Sequence, residues 1–378
     1  MKFVHLSDLH LGKRLNEFSL IEDQEYILHE ICSIIAVEKP DFVIIAGDIY
    51  DKPVPSAEAV RLFDDFLTRI SSITDRVFAV SGNHDSAERI AFGCHIMEKS
   101  GIYMSPVYNG KTVPAVLSDE YGEFCVYMLP FIKPLSVRRF FPDTVIESYT
   151  DAVNAAVDAM DIDFSKRNII VTHQFVTGAQ KSDSEEISVG GTDNVDSSAF
   201  DGFDYVALGH IHSPQNVGSE RIRYCGTPLK YSFSEANQVK SVTVVEMREK
   251  GSLDVRTVPL EPLRDMREVR GTFERISSVE YSKKGNSEDY MRIILCDEEE
   301  IPEAMGKLRT VYPNIMMIEY DNRRTRSAHD SIEAAEAEKK LPVDLFEEFY
   351  RFSNGGDMSE PQRQLVQSLI GKIWEGEQ

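Results

Sequence analysis

Short apolar runs alternate with amphipathic stretches along the first half of this chain. Phe42-Val43-Ile44-Ile45-Ala46 carries no polar break and leads through Gly47 into Asp48. Such a run predicts a strand buried on both faces, inside a sheet covered by helices. The pattern recurs. Phe3-Val4-His5-Leu6-Ser7 leads into Asp8, with His10 two residues on; Val77 to Gly82 leads into Asn83-His84-Asp85. Ile169 to Thr172 leads into His173, and Tyr205 to Gly209 into His210-Ile211-His212. Each strand pattern delivers Asp, Asn or His at its carboxyl end, where open α/β sheets place their ligands.

The segments between these strands read as helices. Ile27, Ile31, Ile34 and Ile35 fall at helical spacing within 21–37, ahead of Lys39-Pro40. Ser56 caps a second amphipathic helix through Leu62, Phe66 and Ile70, and a third is expected over 86–99. The order β-α-β-α-β-α predicts a parallel sheet with covering helices. Strands from Phe124, Ile169, Asp204, Ile222 and Val239 follow with fewer helices, which predicts a second sheet packed on the first. The polar stretch from Gln174 to Phe200 reads either as a wall of a cleft or as a loop.

From Leu263 the pattern resets. Strands at 269–273, 291–295 and 315–319 with helix-like segments between them predict a small α+β domain over 263–320, after a first domain over 1–262. Residues 321–341 read as a charged, Ala-rich linker or solvated helix, and the Glu298-Glu299-Glu300 run as a solvated turn. The tail, 342–378, holds two amphipathic helices. One presents Leu345, Phe346, Phe349 and Tyr350; the other, opened by a Ser359/Gln362 capping box, presents Leu365, Leu369 and Trp374. These helices either pack back on the body or grip a partner helix, the second being favoured by how the linker sets them apart.

At 378 residues the chain suffices for two or three domains, and 42% hydrophobic with 28% charged residues is ordinary for a globular protein. No run approaches the length needed to span a bilayer, and the amino terminus enters a strand rather than a secretory leader, so a cytoplasmic protein is expected, not a membrane one. Five scattered cysteines read as reduced. A net charge of −22 argues against a simple DNA-binding module, because DNA affinity rests on Lys and Arg. It leaves open an enzyme that holds phosphates on metal ions.

Asp8, His10, Asp48, Asn83, His173, His210 and His212 form the candidate ligand set. On extended backbone Asp8/His10 and His210/His212 would each point to one face. Seven O and N donors exceed the needs of one tetrahedral ion and suit two ions sharing a carboxylate, with Asp48 the natural bridge. Imidazole, carboxylate and amide without thiolate favour Mn²⁺, Fe²⁺ or Zn²⁺ over Ca²⁺ or Mg²⁺. Two such ions roughly 3.5–4 Å apart can activate water and clamp a phosphoryl group. His84 would bind phosphate or protonate a leaving oxygen. Asp85 would orient His84, while Asp51 reads as a turn-forming residue. His5 reads as a core histidine; His29, His95 and His329 read as helix-surface or linker residues.

These blocks resemble the calcineurin-like metallophosphoesterase signature: Asp8-Leu9-His10, Gly47-Asp48-Ile49-Tyr50-Asp51, Gly82-Asn83-His84-Asp85, Thr172-His173 and Gly209-His210-Ile211-His212. Within that superfamily, His5 to Lys13, Thr172 to Val176 and Tyr224 to Ser234 are similar to the SbcD nucleases of SbcCD-type complexes. The resemblance implies a four-layer α-β-β-α sandwich with a capping domain and a C-terminal helical tail. It also implies a dinuclear manganese site. One ion would take Asp8, His10, Asp48 and His212, the other Asp48, Asn83, His173 and His210. His84 would serve the leaving group. The implied activities are 3′-to-5′ exonuclease and endonuclease cutting of DNA ends and hairpins. The implied partner is an SbcC-like coiled-coil ATPase held by the tail, in a heterotetramer around a homodimer, with no nucleotide bound by this chain and a nucleoid-associated location. The rival readings are a phosphoesterase for small phosphoesters or cyclic nucleotides, and a scaffold that keeps the fold without catalysis.

Overall fold

The computed structural model describes residues 1–180, 182–185, 193–323, 325, 346–347, 350–351 and 357–376, with backbone alone at 368 and 370–376. They fall into two compact units. One comprises Met1–Val269, Ser277–Ile293 and Met305–Ile318; the other Arg270–Ile276, Ile294–Ala304 and the chain from Glu319 onward.

The first unit is built on two six-stranded sheets. One contains β1 (Lys2–Leu6), β4 (Phe42–Ala46), β5 (Val77–Val80), β6 (Ile102–Met104), β15 (Ser241–Met247) and β16 (Leu253–Pro259), in the order β16-β15-β1-β4-β5-β6. Strands β1, β4, β5 and β6 run parallel, and β15 returns antiparallel beside β1. The other contains β7 (Ala115–Asp119), β8 (Gly122–Leu129), β9 (Arg167–His173), β12 (Tyr205–Gly209), β13 (Gln215–Val217) and β14 (Ser219–Tyr224), ordered β13-β14-β12-β9-β8-β7. Its four central strands are parallel and its two edges antiparallel.

Alternation within the apolar runs explains the layering. Val43 and Ile45 face outward into a core with Ile27, Ile31 and Ile35 of α1 (Ile21–Glu38) and Leu62, Phe66 and Ile70 of α2 (Ala57–Ser71). Phe42 and Ile44 point the other way, into a layer shared with Phe3, Phe78, Phe124, Ile169, Val171 and Tyr205. There the Phe3 and Phe42 rings stack with centroids 4.8 Å apart. On the far side, Ile170, Val206 and Leu208 meet Val153 and Ala156 of a helix at Tyr149–Asp158. The result is the α-β-β-α sandwich. Truncating one of these buried aromatics to Ala typically costs about 3–5 kcal/mol.

Local signals hold at most ends. The Ser56 hydroxyl accepts the Ala59 N–H at 3.2 Å and so caps α2. Lys39 adopts left-handed backbone and stops α1 before Pro40. The third helix does not form as one piece: it breaks into turns at Ala87–Ile90 and Cys94–Met97, because Gly93 enters the left-handed region between them. Two small pairings were not expected, the hairpin β2 (Arg14–Leu15) with β3 (Phe18–Ser19) and the parallel bridge β10 (Phe175–Val176) with β11 (Asn194–Val195). The latter belongs to the stretch read as polar wall or loop, yet Gln174, Val176 and Val195 are fully buried.

Beyond Leu263, β17 (Met266–Gly271), β18 (Tyr290–Leu295) and β19 (Ile315–Tyr320) make a three-stranded sheet. The tail helix spans Glu360–Gly376; Gln362 Oε1 accepts the Ser359 amide at 2.8 Å, the returning half of the expected capping box, while the Ser359 hydroxyl donates to the same oxygen at 2.9 Å. Phe346, Leu365 and Leu369 are exposed. Leu345, Phe349, His329 and most of the 321–341 segment lie outside the described residues, as does the side chain of Trp374. No described helix is long and apolar enough to cross a membrane, and the five cysteines are free thiols.

Candidate metal centre

Strand β1 ends at Leu6, so Asp8 and His10 do not lie on extended backbone as expected. Both adopt left-handed conformations, with φ of 52° and 45°, and so does Asp48, with φ of 47°. Backbone bonds hold the two turns together: Asp8 N donates to Gly47 O at 3.0 Å and His10 N to Asp48 O at 2.9 Å. His210 likewise follows the end of β12, with φ of 105°. The convergence therefore comes from coiled turns at the strand ends, not from strand alternation.

Two glycines make the approach possible. A Cβ on Gly82 would lie 2.1 Å from Asp48 Oδ1, and one on Gly209 would lie 1.8 Å from the Ala46 carbonyl oxygen. Neither position admits a side chain without backbone movement.

Six acidic and imidazole side chains come within mutual reach of a cation in three overlapping groups: Asp8/His10/His212, His10/Asp48/His84 and Asp8/Asp48/His173. Asp48 Oδ2 lies 3.3 Å from His173 Nε2, 3.6 Å from His10 Nε2 and 3.9 Å from His84 Nε2. Asn83 joins through Oδ1, 3.0 Å from His173 Nε2 and 2.9 Å from His210 Nδ1. All seven candidate ligands and His84 thus meet in one place. His10 Nε2 and His212 Nε2 face each other at 3.2 Å. Two imidazole nitrogens turned on one another beside buried carboxylates fit a site that a cation completes, and the O/N donor set suits borderline divalent ions.

Electrostatics follow from burial and crowding. Burial opposes the charge on Asp48, but His173, His10 and His84 outweigh it and hold the carboxyl well below its usual range. Burial alone would depress His173; Asp48 instead raises it to about 9. Burial, then His173, lowers His210 to about 3, and burial lifts Asp8 to about 6. His173 Nδ1 is oriented by the Ala46 carbonyl at 2.8 Å, which leaves Nε2 facing the cluster.

Asp85 acts through backbone rather than through the His84 ring. Its carboxylate accepts from the amides of Ile49 at 3.0 Å, Tyr50 at 2.9 Å and Gly82 at 3.0 Å, tying the Asp48 and Asn83 loops together. The His84 ring meets the Asp51 carbonyl at 3.3 Å, and the His84 amide donates to Asp48 Oδ1 at 2.9 Å. His5 is a core residue, with Nδ1 3.0 Å from the Tyr205 hydroxyl and a pKa lowered to about 3 by burial. His29 and His95 are exposed.

Sequence reasoning missed Ser184, Glu185, Glu235 and Tyr231. Ser184 Oγ lies 2.6 Å from His212 Nδ1, Glu185 Oε1 accepts the His212 amide at 2.7 Å, and the Tyr231 ring packs edge-on to His10. Ser184 and Glu185 sit within the polar stretch, whose composition marks no single position.

The chain matches the family model for calcineurin-like phosphoesterase over residues 1–214 and that for the type 5 capsule protein repressor C-terminal domain over 262–354. It is 33% identical to the SbcD subunit of nuclease SbcCD from Staphylococcus epidermidis, covering 100% of both chains. It is 32% identical to the corresponding SbcCD nuclease subunit of Staphylococcus saprophyticus, covering 99% of each. A crystal structure of a dimetal phosphatase from Danio rerio aligns with 70% of this chain and 98% of its own at 11% identity and a TM-score of 0.38, too slight a likeness to add to the strand order. With its sandwich, its ordered signature blocks and full-length relatives of that kind, the chain belongs to the SbcD branch of the calcineurin-like phosphoesterase family.

Proposed function

We propose that this chain is a metal-dependent DNA nuclease, cutting by manganese-supported phosphodiester hydrolysis as a 3′-to-5′ exonuclease and a hairpin endonuclease. The observation that carries this reading is the position of Asp48, shared between overlapping donor groups that can each hold a cation. Full-length similarity to relatives named as nucleases supports DNA as the substrate.

Asp8, His10, Asp48 and His212 would hold one ion, and Asp48, Asn83, His173 and His210 the other. When bound, such a pair polarises phosphate oxygens and lowers the pKa of water. The chain's own residues do the rest. His84, whose Nδ1–H donates to the Asp51 carbonyl, keeps Nε2 on the site side, where the ring in its imidazolium form passes the Nε2 proton to the leaving oxygen and becomes neutral. Asp85 fixes the loops that carry Asp48 and Asn83. Burial of Asp8, His10, His173 and His212 excludes bulk water from the donors.

The segment 263–320 would cap the DNA cleft. The tail, 342–378, would bind an SbcC-like coiled-coil ATPase through Leu345, Phe346, Phe349, Leu365, Leu369 and Trp374, in a heterotetramer around a homodimer. The exposure of Leu365 and Leu369 supports this part. Leu365→Asp with Leu369→Asp should leave hydrolysis intact and abolish co-purification with that ATPase; retained binding means the tail is not the contact.

The function itself is tested by incubating the purified full chain with Mn²⁺ and either hairpin DNA or a small aryl phosphodiester. Cleavage of DNA is expected. Turnover of the small ester alone would make the protein a phosphoesterase of another substrate class.

A further inference from the structure

After β9 the chain leaves the second sheet and returns to the site at Ser184, which bridges His212 and a residue from a distant turn. Ser184 Oγ lies 2.6 Å from His212 Nδ1 and 2.5 Å from Glu235 Oε1. The other Glu235 oxygen accepts from Lys240 Nζ, and the same ammonium donates to the His212 carbonyl at 2.9 Å. Glu235 is 0% and Lys240 5% exposed. Glu235 and Lys240 therefore grip His212 at both its ring and its backbone.

We propose that Glu235 is a positioning residue which, through Ser184 and with Lys240, fixes His212 with its proton on Nδ1 and its Nε2 lone pair turned toward Asp8 and His10. The inference rests on the two-cation reading above and adds what prepares one ligand. A serine hydroxyl has a single hydrogen. A carboxylate paired with an ammonium only accepts, so the Ser184 hydrogen goes to Glu235 and the oxygen must accept from His212 Nδ1–H. Ser182 Oγ, 2.9 Å from Ser184 Oγ, is the competing acceptor, but the shorter contact to the charged carboxylate is the stronger one. Such outer partners set the tautomer of ligating histidines.

The isosteric substitution Glu235→Gln reverses this polarity. An amide NH₂ beside Lys240 would set donor against donor, so the Gln carbonyl turns to Lys240 and its NH₂ to Ser184. The serine hydrogen is then free to point at His212 Nδ1, which moves the imidazole proton to Nε2, against the cation position.

The test is a Mn²⁺ titration of the full chain, followed by the EPR signal of free manganese, for wild type, E235Q, S184A and the double variant. Wild type is expected to take two ions. E235Q should weaken one of them by about 10–100-fold, and its metal-free thermal midpoint should fall because the buried Lys240 loses its carboxylate partner. S184A should lose less, and the double variant should recover to the S184A level because the misdirected hydroxyl is gone. Wild-type affinity in E235Q, or a double variant no better than E235Q, overturns the role of Glu235. Wild type that takes up no manganese overturns the metal reading instead. If E235Q does not fold, ring ¹⁵N shifts of the metal-free wild type decide: a His212 proton on Nδ1 supports the proposal, and one on Nε2 overturns it.

Discussion

The His210 amide donates to both carboxylate oxygens of Asp8, at 3.0 and 3.2 Å, although 202 positions separate the two residues. Asp8 follows the first strand of one sheet and His210 the last residue of a strand in the other. This bond joins the carboxyl ends of the sheets at the point where the donors gather, so packing between the sheets sets the geometry of the site.

Gly209 is the tightest part of that junction. Gly209→Ala would place a methyl group 1.8 Å from the Ala46 carbonyl, whose oxygen also orients His173. The backbone must shift, and stability should fall by about 3 kcal/mol. Urea unfolding checks this; an unchanged midpoint means that the sheets can separate there freely.

Asp48→Asn keeps the shape of the side chain and removes the shared charge. Both ions should be lost or weakened at least about tenfold, with the fold retained. Elemental analysis after desalting gives the answer, and two tightly held metals per chain would rule out a bridging Asp48.

His84→Gln should retain full metal content and lose about 10²–10⁴ in turnover, the usual worth of a positioned proton donor. A rate within a few-fold of wild type would remove His84 from the chemistry.

Away from the site, Asp119 pairs with Arg167, a side chain only 2% exposed. Burial opposes the Asp119 charge, but the Arg167 hydrogen bond overcomes it and holds the carboxyl well below its ordinary range. A depressed folded-state pKa adds stability above the unfolded value, about 3.9, and that contribution disappears as pH falls toward the folded value. Asp119→Asn should therefore cost about 2 kcal/mol at pH 7, and the gap to wild type should narrow progressively as pH falls below about 4. Thermal midpoints across pH 2–7 measure it; a gap independent of pH would mean that packing, not charge, is lost.

Much of this was legible along the chain. The apolar run from Phe42 to Ala46 predicts a strand covered on both faces, and its alternate residues do enter two different cores. The strand-end positions of Asp8, Asn83, His173 and His210 predict convergence, because parallel strands present their carboxyl ends on one side. Ser56 and the Ser359/Gln362 pair mark helix starts because capping is local chemistry.

What only tertiary structure decided is how those donors are aimed. Left-handed turns at Asp8, His10 and Asp48 replace the expected strand alternation, since the site needs a direction that extended backbone does not supply. The break at Gly93 and the roles of Ser184 and Glu235 were equally hidden. Periodicity and capping depend on neighbours within a few positions, and these the sequence states outright. The grip on His212 depends on groups 28 and 51 positions apart, whose pairing exists only once two sheets and a returning loop have packed.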